Sequence, residues 1–291
     1  MISCIITGYK EPETIGKAII SMSNSCIEAK VDYEILVIAP DEETIKEALN
    51  YETKNIKILQ DEGKGKPSAL NLAFKEAKGS ILILSDGDVY VNQDAVKELL
   101  NKMGNSKIGA VSGHPISSSP KETMLGYWSH LLTDMADLTR KKGSFVCSGY
   151  LYALRKGIVN ELPEDCLSDD AYISYKVVEA GYELGYSTDA QVFVKYPDNF
   201  KDWMSQKKRS TGGYVQLEKI YKMKSIKEMR SLSQEIKGLW NVLCYGESFR
   251  EFLWTCNLIL ARAWLWMNIF WERRIIKKDF NKTWVRIGST K

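Results

Sequence analysis

Short apolar runs alternate with amphipathic stretches through the first two-thirds of the chain. Residues 2–7, 34–39, 56–59 and 81–84 read as strands because each is a brief apolar run bounded by polar or turn-forming residues. Between them, residues 12–23, 42–50 and 68–77 carry apolar positions at helical spacing: Ile15, Ala18, Ile19 and Met22 in the first, Leu70, Phe74 and Ala77 in the third. Strand and helix in strict alternation predict βαβ units and a mainly parallel sheet, whose ligands bind at the carboxyl ends of the strands. After about residue 105 the alternation loosens. Residues 108–111 read as a further strand, 123–139 as a helix and 145–154 as extended, and 169–180 as a helix stopped by Gly181 at its C′ position. Residues 214–291 read as helix throughout.

Composition narrows the class without changing that picture. The chain has 291 residues, 44% hydrophobic and 26% charged, the make-up of an ordinary globular protein and not of a disordered, collagen-like or disulfide-stapled one. A formal net charge of +3 gives no argument for a nucleic-acid partner. The six cysteines form no C-x-x-C pair and there are two histidines, so neither a zinc site nor a disulfide framework is expected. A reducing, cytoplasmic compartment is expected, and the opening Met1-Ile2-Ser3-Cys4 reads as a strand and not as a signal peptide.

Four segments carry chemistry. Asp86-Gly87-Asp88 directly follows the strand run Ile81–Leu84, and two carboxylates so placed can hold Mg²⁺ or Mn²⁺ and orient a diphosphate on it. A solvated Asp-Gly turn is the plain alternative. Gly63-Lys64-Gly65-Lys66 joins a glycine pair, which lets backbone approach a ligand closely, to two cationic side chains, and Ser68 is placed to cap the next helix. It lacks the Walker pattern, and a basic surface loop is its alternative. Ser168-Asp169-Asp170 opens a helix, where acids are favoured by the helix dipole alone, or where one of them serves as a general base. Gln206-Lys207-Lys208-Arg209 offers a cationic helix face, either solvated or set against a diphosphate leaving group. His114 and His130 read as structural or surface residues.

In this order, the segments resemble family-2 glycosyltransferases, inverting enzymes of the GT-A fold, from Ser3 to about Gly213. Residues 5–11, ending Thr7-Gly8-Tyr9-Lys10-Glu11, resemble the family's "P-x-Y-N-E" start. Gly63-Lys64-Gly65-Lys66 with Ala69-Leu70-Asn71 resembles "GK-x-x-ALN", and Asp86-Gly87-Asp88 stands in the place of the metal-binding D-x-D. Residues 145–149 resemble the stretch lining the acceptor pocket, Ser168-Asp169-Asp170 the "T/S-E/D-D" motif, and Gln206 with Arg209 the "Q-x-x-R-W" motif. The resemblance implies donor contacts from Thr7, Tyr9, Glu11, Asp41, Lys64, Lys66 and Asp86, with Asp41 reading the base one residue later than in the family pattern. It implies acceptor contacts from Cys147, Ser148, Gly149 and Asp169, a metal on Asp88 and Asp86, and Asp170 as base beside Arg209 and Gln206. The implied activity is metal-dependent, inverting transfer of a sugar from a nucleoside-diphosphate sugar to a hydroxyl or phosphate acceptor, either a glycan or lipid-linked. The competing readings are a sugar nucleotidyltransferase, whose glycine-rich basic loop after the first strand is not matched by residues 7–12, and a non-catalytic sugar-nucleotide-binding protein on the same fold.

Two departures stand out. Ser210 replaces the motif's tryptophan, which argues for addition of one or few sugars over processive synthesis. Residues 191–196 hold no histidine to serve as a further metal ligand, and Lys195 is an alternative counter-charge there. The expected organisation is a GT-A catalytic domain over 1–213, nucleotide-binding to about 105 and acceptor-binding from 106, then a helical extension over 214–291. Residues 252–271 hold 16 apolar positions in 20, followed by Arg273, Arg274, Lys277 and Lys278. Arg262 at mid-length and the topology of the basic cluster argue against a membrane span. A peripheral helix on an anionic cytoplasmic membrane face, and a helix packed in the core or in a homo-oligomer, are the two expectations.

Overall fold

The central strand β1, Ile2–Thr7, is buried at all six positions. A strand covered on both faces needs an unbroken apolar run, and this one has it in Ile2, Cys4, Ile5 and Ile6. The computed structural model describes residues 1–143, 146–219 and 238–274. Those residues form two compact units, one from Met1–Ile116 with Phe145–Val194, the other from the described residues of Ser117–Ser144 and Lys195–Thr290.

The first unit is an eight-stranded sheet with helices on both faces. Its elements are β1, α1 (Ile15–Glu28), β2 (Tyr33–Ala39), α2 (Glu42–Leu49), β3 (Ile56–Gln60), α3 (Lys66–Glu76), β4 (Ile81–Asp86), β5 (Tyr90–Val91), α4 (Ala95–Met103), β6 (Ile108–Ser117), β7 (Leu151–Arg155), α6 (Asp169–Glu179) and β8 (Glu183–Val194). The strand order is β3-β2-β1-β4-β7-β6-β8-β5. The β3-β2-β1-β4 half is parallel, β7 runs antiparallel to both β4 and β6, and β5 runs antiparallel to β8. From β1 the chain winds outward to β2 and β3, then returns to place β4 on the other side of β1. That reversal is a topological switch point, where open α/β sheets leave a crevice outside the strand ends.

Alternation along the strands sorts the helices to two faces. Ile5, Leu36, Ile38, Leu82, Leu84, Tyr152 and Leu154 point to the face covered by Leu70 and Phe74 of α3 and Ile173 and Val177 of α6. Cys4 points the other way, and its sulfur lies 3.4 Å from that of Cys26 on α1. Each fully buried leucine or isoleucine in these layers contributes about 1.5–3 kcal/mol. The six cysteines are free thiols. Gly181 follows α6 at φ +83°, the left-handed C′ conformation expected from its place after the last helical residue.

The second unit is helical among its described residues: α5 (Met124–Lys141), α7 (Phe200–Lys219), α8 (Leu239–Leu243) and α9 (Phe249–Arg274). Tyr127, Trp128 and Leu131 of α5 pack with Trp203 of α7 and with Leu258 and Ala261 of α9. Two polar tips are satisfied inside this core, the Trp128 indole donating to the Trp254 carbonyl at 2.7 Å and the Tyr127 hydroxyl pairing with that of Thr255 at 2.8 Å.

Several elements depart from the pattern-based expectation. Helix α1 starts at Ile15, not residue 12, because 12–14 form turns in which the Glu11 carbonyl accepts the amides of Thr14 and Ile15. Gly65, not Ser68, stands at the N-cap of α3; its φ is +107°, which an L side chain at that position would resist. The extended stretch 145–154 contracts to a strand beginning at Leu151, with residue 145 outside the described residues. Elements β5, α4 and β8 were not anticipated. Of the expected continuous helix, 214–219 belongs to α7, residues 244–248 break α8 from α9, and 220–237 and 275–291 lie outside the described residues.

Candidate active site

Parallel register brings the carboxyl ends of β1, β2 and β4 to one level. Thr7 is paired with Ile38 on one side and with Asp86 on the other. The loops leaving those strands are tied together. The Gly87 amide donates to the Thr7 carbonyl at 2.9 Å, the Gly8 amide to the Ile38 carbonyl at 2.9 Å, and the Lys10 amide to the Asp41 carboxylate at 2.7 Å. Asp41 also caps α2, accepting from the Thr44 amide at 3.0 Å and the Thr44 hydroxyl at 2.7 Å. Burial works to raise the Asp41 carboxyl, but these hydrogen bonds outweigh it and hold the group below the usual aspartate value. Gly87 has no room for a side chain: a Cβ there would lie 2.7 Å from Glu11 Oε2 and 2.8 Å from Ile15 Cδ1. The glycine between the two aspartates therefore lets the β1 loop close against the β4 loop.

Two helix N-termini meet this edge on the face of Ile5 and Leu84. Lys66 is the first residue of α3, and Asp169 and Asp170 are the first two of α6. The Lys66 ammonium lies 2.6 Å from Asp86 Oδ1 and 3.4 Å from Asp169 Oδ2, and the Thr7 hydroxyl donates to Asp86 at 3.4 Å. Burial alone would push the ammonium down, but the charges of Asp169, Asp86 and Asp170 reverse that and hold Lys66 well above its usual value. Asp170 accepts from the Ser168 hydroxyl at 3.0 Å and the Ala171 amide at 2.8 Å on one oxygen, and from the Gly149 amide at 3.2 Å on the other. Its carboxyl is nonetheless raised, by burial first and by the neighbouring Asp169 charge second. A buried carboxylate so raised holds a proton more readily than a free aspartate.

The loop before β7 is held by backbone groups. The Cys147 amide donates to the Ser174 hydroxyl at 2.9 Å and the Ser148 amide to the Ser112 hydroxyl at 3.0 Å. Cys147 and Ser148 are buried, and Cys147 packs in the core beneath the loop. Of the residues singled out from sequence, Thr7, Lys66, Asp86, Gly149, Asp169 and Asp170 are therefore joined in one network, with Glu11 and Asp41 in the adjoining loops. Lys64 turns outward to an exposed ion pair with Glu62 at 2.5 Å, and Tyr9 lies under the Lys10 ammonium at 5.4 Å. Asp88 lies close enough to Tyr90 for its charge, after burial, to raise that phenol. Gln206 and Arg209 are on α7 in the second unit, where the Gln206 side-chain oxygen is buried without a hydrogen-bond partner. His114 and His130 each meet a backbone carbonyl, at 3.1 and 2.9 Å.

Three residues escaped the sequence reading. Ser112 and Ser174 anchor the 146–149 loop, and neither belongs to a recognisable motif. Tyr152, on β7, is wholly buried, and its hydroxyl has no hydrogen-bond partner.

The residues present fit a divalent cation of the hard class. Three carboxyl groups face a single ammonium here, an excess of negative charge, and Asp86 and Asp88 supply oxygen donors at the strand end. No group of three or more His, Cys, Asp or Glu gathers among the described residues. Asp86 and Asp88 would supply a one- or two-carboxylate hold, the kind in which Mg²⁺ or Mn²⁺ keeps waters and substrate phosphates in its shell.

The architecture has solved counterparts. The mannosyltransferase PcManGT of Pyrobaculum calidifontis, in complex with GDP-Man and Mn²⁺, matches with a TM-score of 0.62 at 17% identity, over 97% of this chain and 88% of that one. TarS 1-349 of Staphylococcus aureus matches with a TM-score of 0.52 at 15% identity, over 83% of this chain and 78% of that one. The fold is of the GT-A glycosyltransferase class. The model of glycosyl transferase family 2 matches residues 3–162, more than half of the chain, and the chain belongs to that family. Among relatives, the probable glycosyltransferase YdaM of Bacillus subtilis is 27% identical over 222 residues, covering 72% of this chain and 51% of that protein. The N-acetylglucosaminyltransferase of Rhizobium meliloti is 26% identical over 170 residues, covering 52% and 40%. The poly-beta-1,6-N-acetyl-D-glucosamine synthase of S. aureus is 25% identical over 228 residues, covering 73% and 54%. The chain thus spans about half the length of these relatives.

Proposed function

We propose that the protein transfers a sugar, with inversion, from a nucleoside-diphosphate sugar to a hydroxyl or phosphate acceptor on a glycan or a lipid-linked carrier. The observation that carries this reading is the Lys66–Asp86–Asp169–Asp170 cluster at the β1/β4 switch point, with Asp170 buried and raised beside it. The family and the relatives' names, which include N-acetylglucosaminyltransferases, support the reaction class.

Asp170 takes the acceptor's proton on a carboxylate oxygen as the acceptor oxygen bonds to the anomeric carbon. The Gly149 amide and Ser168 hydroxyl fix that carboxylate's orientation. The anomeric carbon–phosphate oxygen bond breaks with its electron pair on the nucleoside diphosphate, so one displacement inverts the centre. Lys66 sets cationic charge at the strand edge, and Arg209 carries the same role in the family resemblance. Asp86 and Asp88 would hold Mg²⁺ or Mn²⁺, which when bound offsets the charge on the leaving diphosphate. Ser210 in place of tryptophan favours addition of one or few sugars.

Thermal-shift screening against UDP-, GDP- and dTDP-sugars, with and without Mn²⁺, tests donor binding. A metal-dependent rise with at least one of them is expected, and Asp88→Ala should remove the metal dependence. A variant with unchanged metal-dependent affinity would take the cation away from Asp88.

Helix α9 carries apolar residues on more than one face. Thr255, Leu258, Ala261, Leu265 and Ile269 form its buried stripe, while Leu260, Trp264, Met267 and Phe270 are each more than half exposed on another face. No helix among the described residues is long and apolar enough to cross a membrane. The exposed apolar face, followed in sequence by Arg273, Arg274, Lys277 and Lys278, suits the headgroup layer of an anionic cytoplasmic membrane surface. The protein should sediment with phosphatidylglycerol vesicles and leave them at high salt. Trp264→Ser with Trp266→Ser should abolish binding at an unchanged melting temperature. Absence of vesicle binding together with dimerisation would assign the face to a second copy.

A further inference from the structure

A fully buried tyrosine lies on the layer of the sheet that leads to the acidic cluster. Tyr152 pairs across the sheet with Leu84 on β4 and Ser112 on β6. Cross-strand partners point to the same face, and so do residues two apart, so Tyr152, Leu84 and Asp86 share one face of the sheet. That face is covered by α3 and α6, whose first residues are Lys66 and Asp169–Asp170. Tyr152 therefore lies one rung below Asp86 on the sheet face that the two helices cover.

Its hydroxyl has no hydrogen-bond partner although the residue is 0% exposed. An unpaired buried hydroxyl is costly to keep, and a phenylalanine would fill the same space without that cost. The cluster above it contains a matching gap. Asp169 Oδ2 is buried without a hydrogen bond, its nearest cation being the Lys66 ammonium at 3.4 Å. Lys66 is shared, held more closely by Asp86 at 2.6 Å. A donor diphosphate at this edge would compete for the ammonium, leaving Asp169 beside Asp170 with no counter-charge. Burial first, and then the charges of Asp169, Asp170 and Asp86, raise the Tyr152 phenol, so the group keeps its proton and has an O–H to donate to a carboxylate.

We propose that Tyr152 is a positioning residue, whose buried hydroxyl donates a hydrogen bond to the Asp169 carboxylate when Lys66 is drawn to the donor's phosphates. The bond keeps Asp169 ionised and aligned next to Asp170, the proposed base. This inference rests on the site proposed above, but its contact lies within the chain and can be read without turnover. The groups that bear on Asp169 are Lys66 from α3, Asp170 on its own helix, Tyr152 from β7 and the Cys166 thiol of the preceding loop, while Asp86 and Cys147 act on Tyr152.

The test is the pH titration of the Asp169 carboxyl carbon by NMR in the full chain labelled with ¹³C at aspartate Cγ, assigned with Asp169→Asn. Tyr152→Phe removes only the hydroxyl and should melt no lower than the parent. In the ligand-free protein, Tyr152→Phe should leave the Asp169 midpoint unchanged. With saturating Mg²⁺–GDP or Mg²⁺–UDP, it should raise that midpoint by about one pH unit, the size expected for losing one hydrogen bond to a charged group. In a Lys66→Met background the same shift should appear with no nucleotide present. If neither nucleotide binds, the donor reading fails while the Lys66→Met comparison still decides the role of Tyr152. Equal midpoints with and without the hydroxyl in that background, or under saturating nucleotide should Lys66→Met not fold, would overturn the proposal.

Discussion

Asp170→Asn is expected to lower kcat by ~10²–10⁴ while leaving donor affinity nearly intact, the range for loss of a positioned general base. The substitution keeps the side chain's shape and removes its ability to take a proton. It also replaces one acceptor oxygen with an NH₂ group; with the amide oxygen kept on Ser168 and Ala171, the Gly149 bond is lost, at a cost of about 1 kcal/mol. The melting point should therefore fall only slightly, which separates a chemical loss from a folding one. In the parent, burial and the Asp169 charge hold Asp170 above the ordinary aspartate value. The acid limb of the kcat profile should accordingly lie above about pH 4, the value for a free aspartate. Release of nucleoside diphosphate, followed across pH, measures both. Near-parental turnover in Asp170→Asn would move the base to Asp169 or elsewhere.

The second large effect is on stability. Lys66→Met should destabilise the fold by about 3 kcal/mol at neutral pH, the lower end of the range for removing one partner of a buried ion pair. The Lys66 side chain is 12% exposed and its partners Asp86 and Asp169 are 24% and 14% exposed, so solvent replaces little of the lost charge. Without the ammonium, which now offsets burial and the Asp169 charge, the Asp170 carboxyl rises further above its unfolded value. A group raised on folding loses stability as pH rises, so the deficit should be largest at neutral pH and shrink towards pH 4, where the unfolded carboxyls also protonate. Urea unfolding of both proteins at pH 7 and pH 4.5 checks this. A deficit independent of pH would assign the loss to packing and not to uncompensated charge.

What could be read from sequence was what is local. The βαβ alternation from Ile2 to Asp86 is written in apolar period, and Asp86-Gly87-Asp88 could be placed at a strand end because Ile81–Leu84 is apolar throughout. Asp169 and Asp170 could be placed at a helix start because acids collect there. Strand β8 was illegible for a physical reason: its inward positions include Gly185, Ser187 and Ala190, small or polar residues that give no hydrophobic alternation. Helix α4 is legible in the sequence, since Val96, Leu99 and Met103 carry helical spacing. The pairing of Lys66 with Asp169 was not legible, because it depends on antiparallel β7 lying between β4 and β6, and strand order is not encoded in periodicity. Nor was the hold on 146–149, which rests on backbone amides meeting Ser112, Ser174 and Asp170. A backbone donor leaves no signature in a sequence. Tyr152 looked like one more apolar strand residue, and only its depth and its unpaired hydroxyl distinguish it.

The central claim is a single displacement at the anomeric carbon with Asp170 as base. The anomeric configuration of the product, read by NMR from the one-bond C1–H1 coupling, tests it most directly. With the donor identified by thermal shift, the account predicts a configuration opposite to that of the sugar nucleotide. A product that retains the donor's configuration would contradict it, since retention requires a second displacement or a front-face attack.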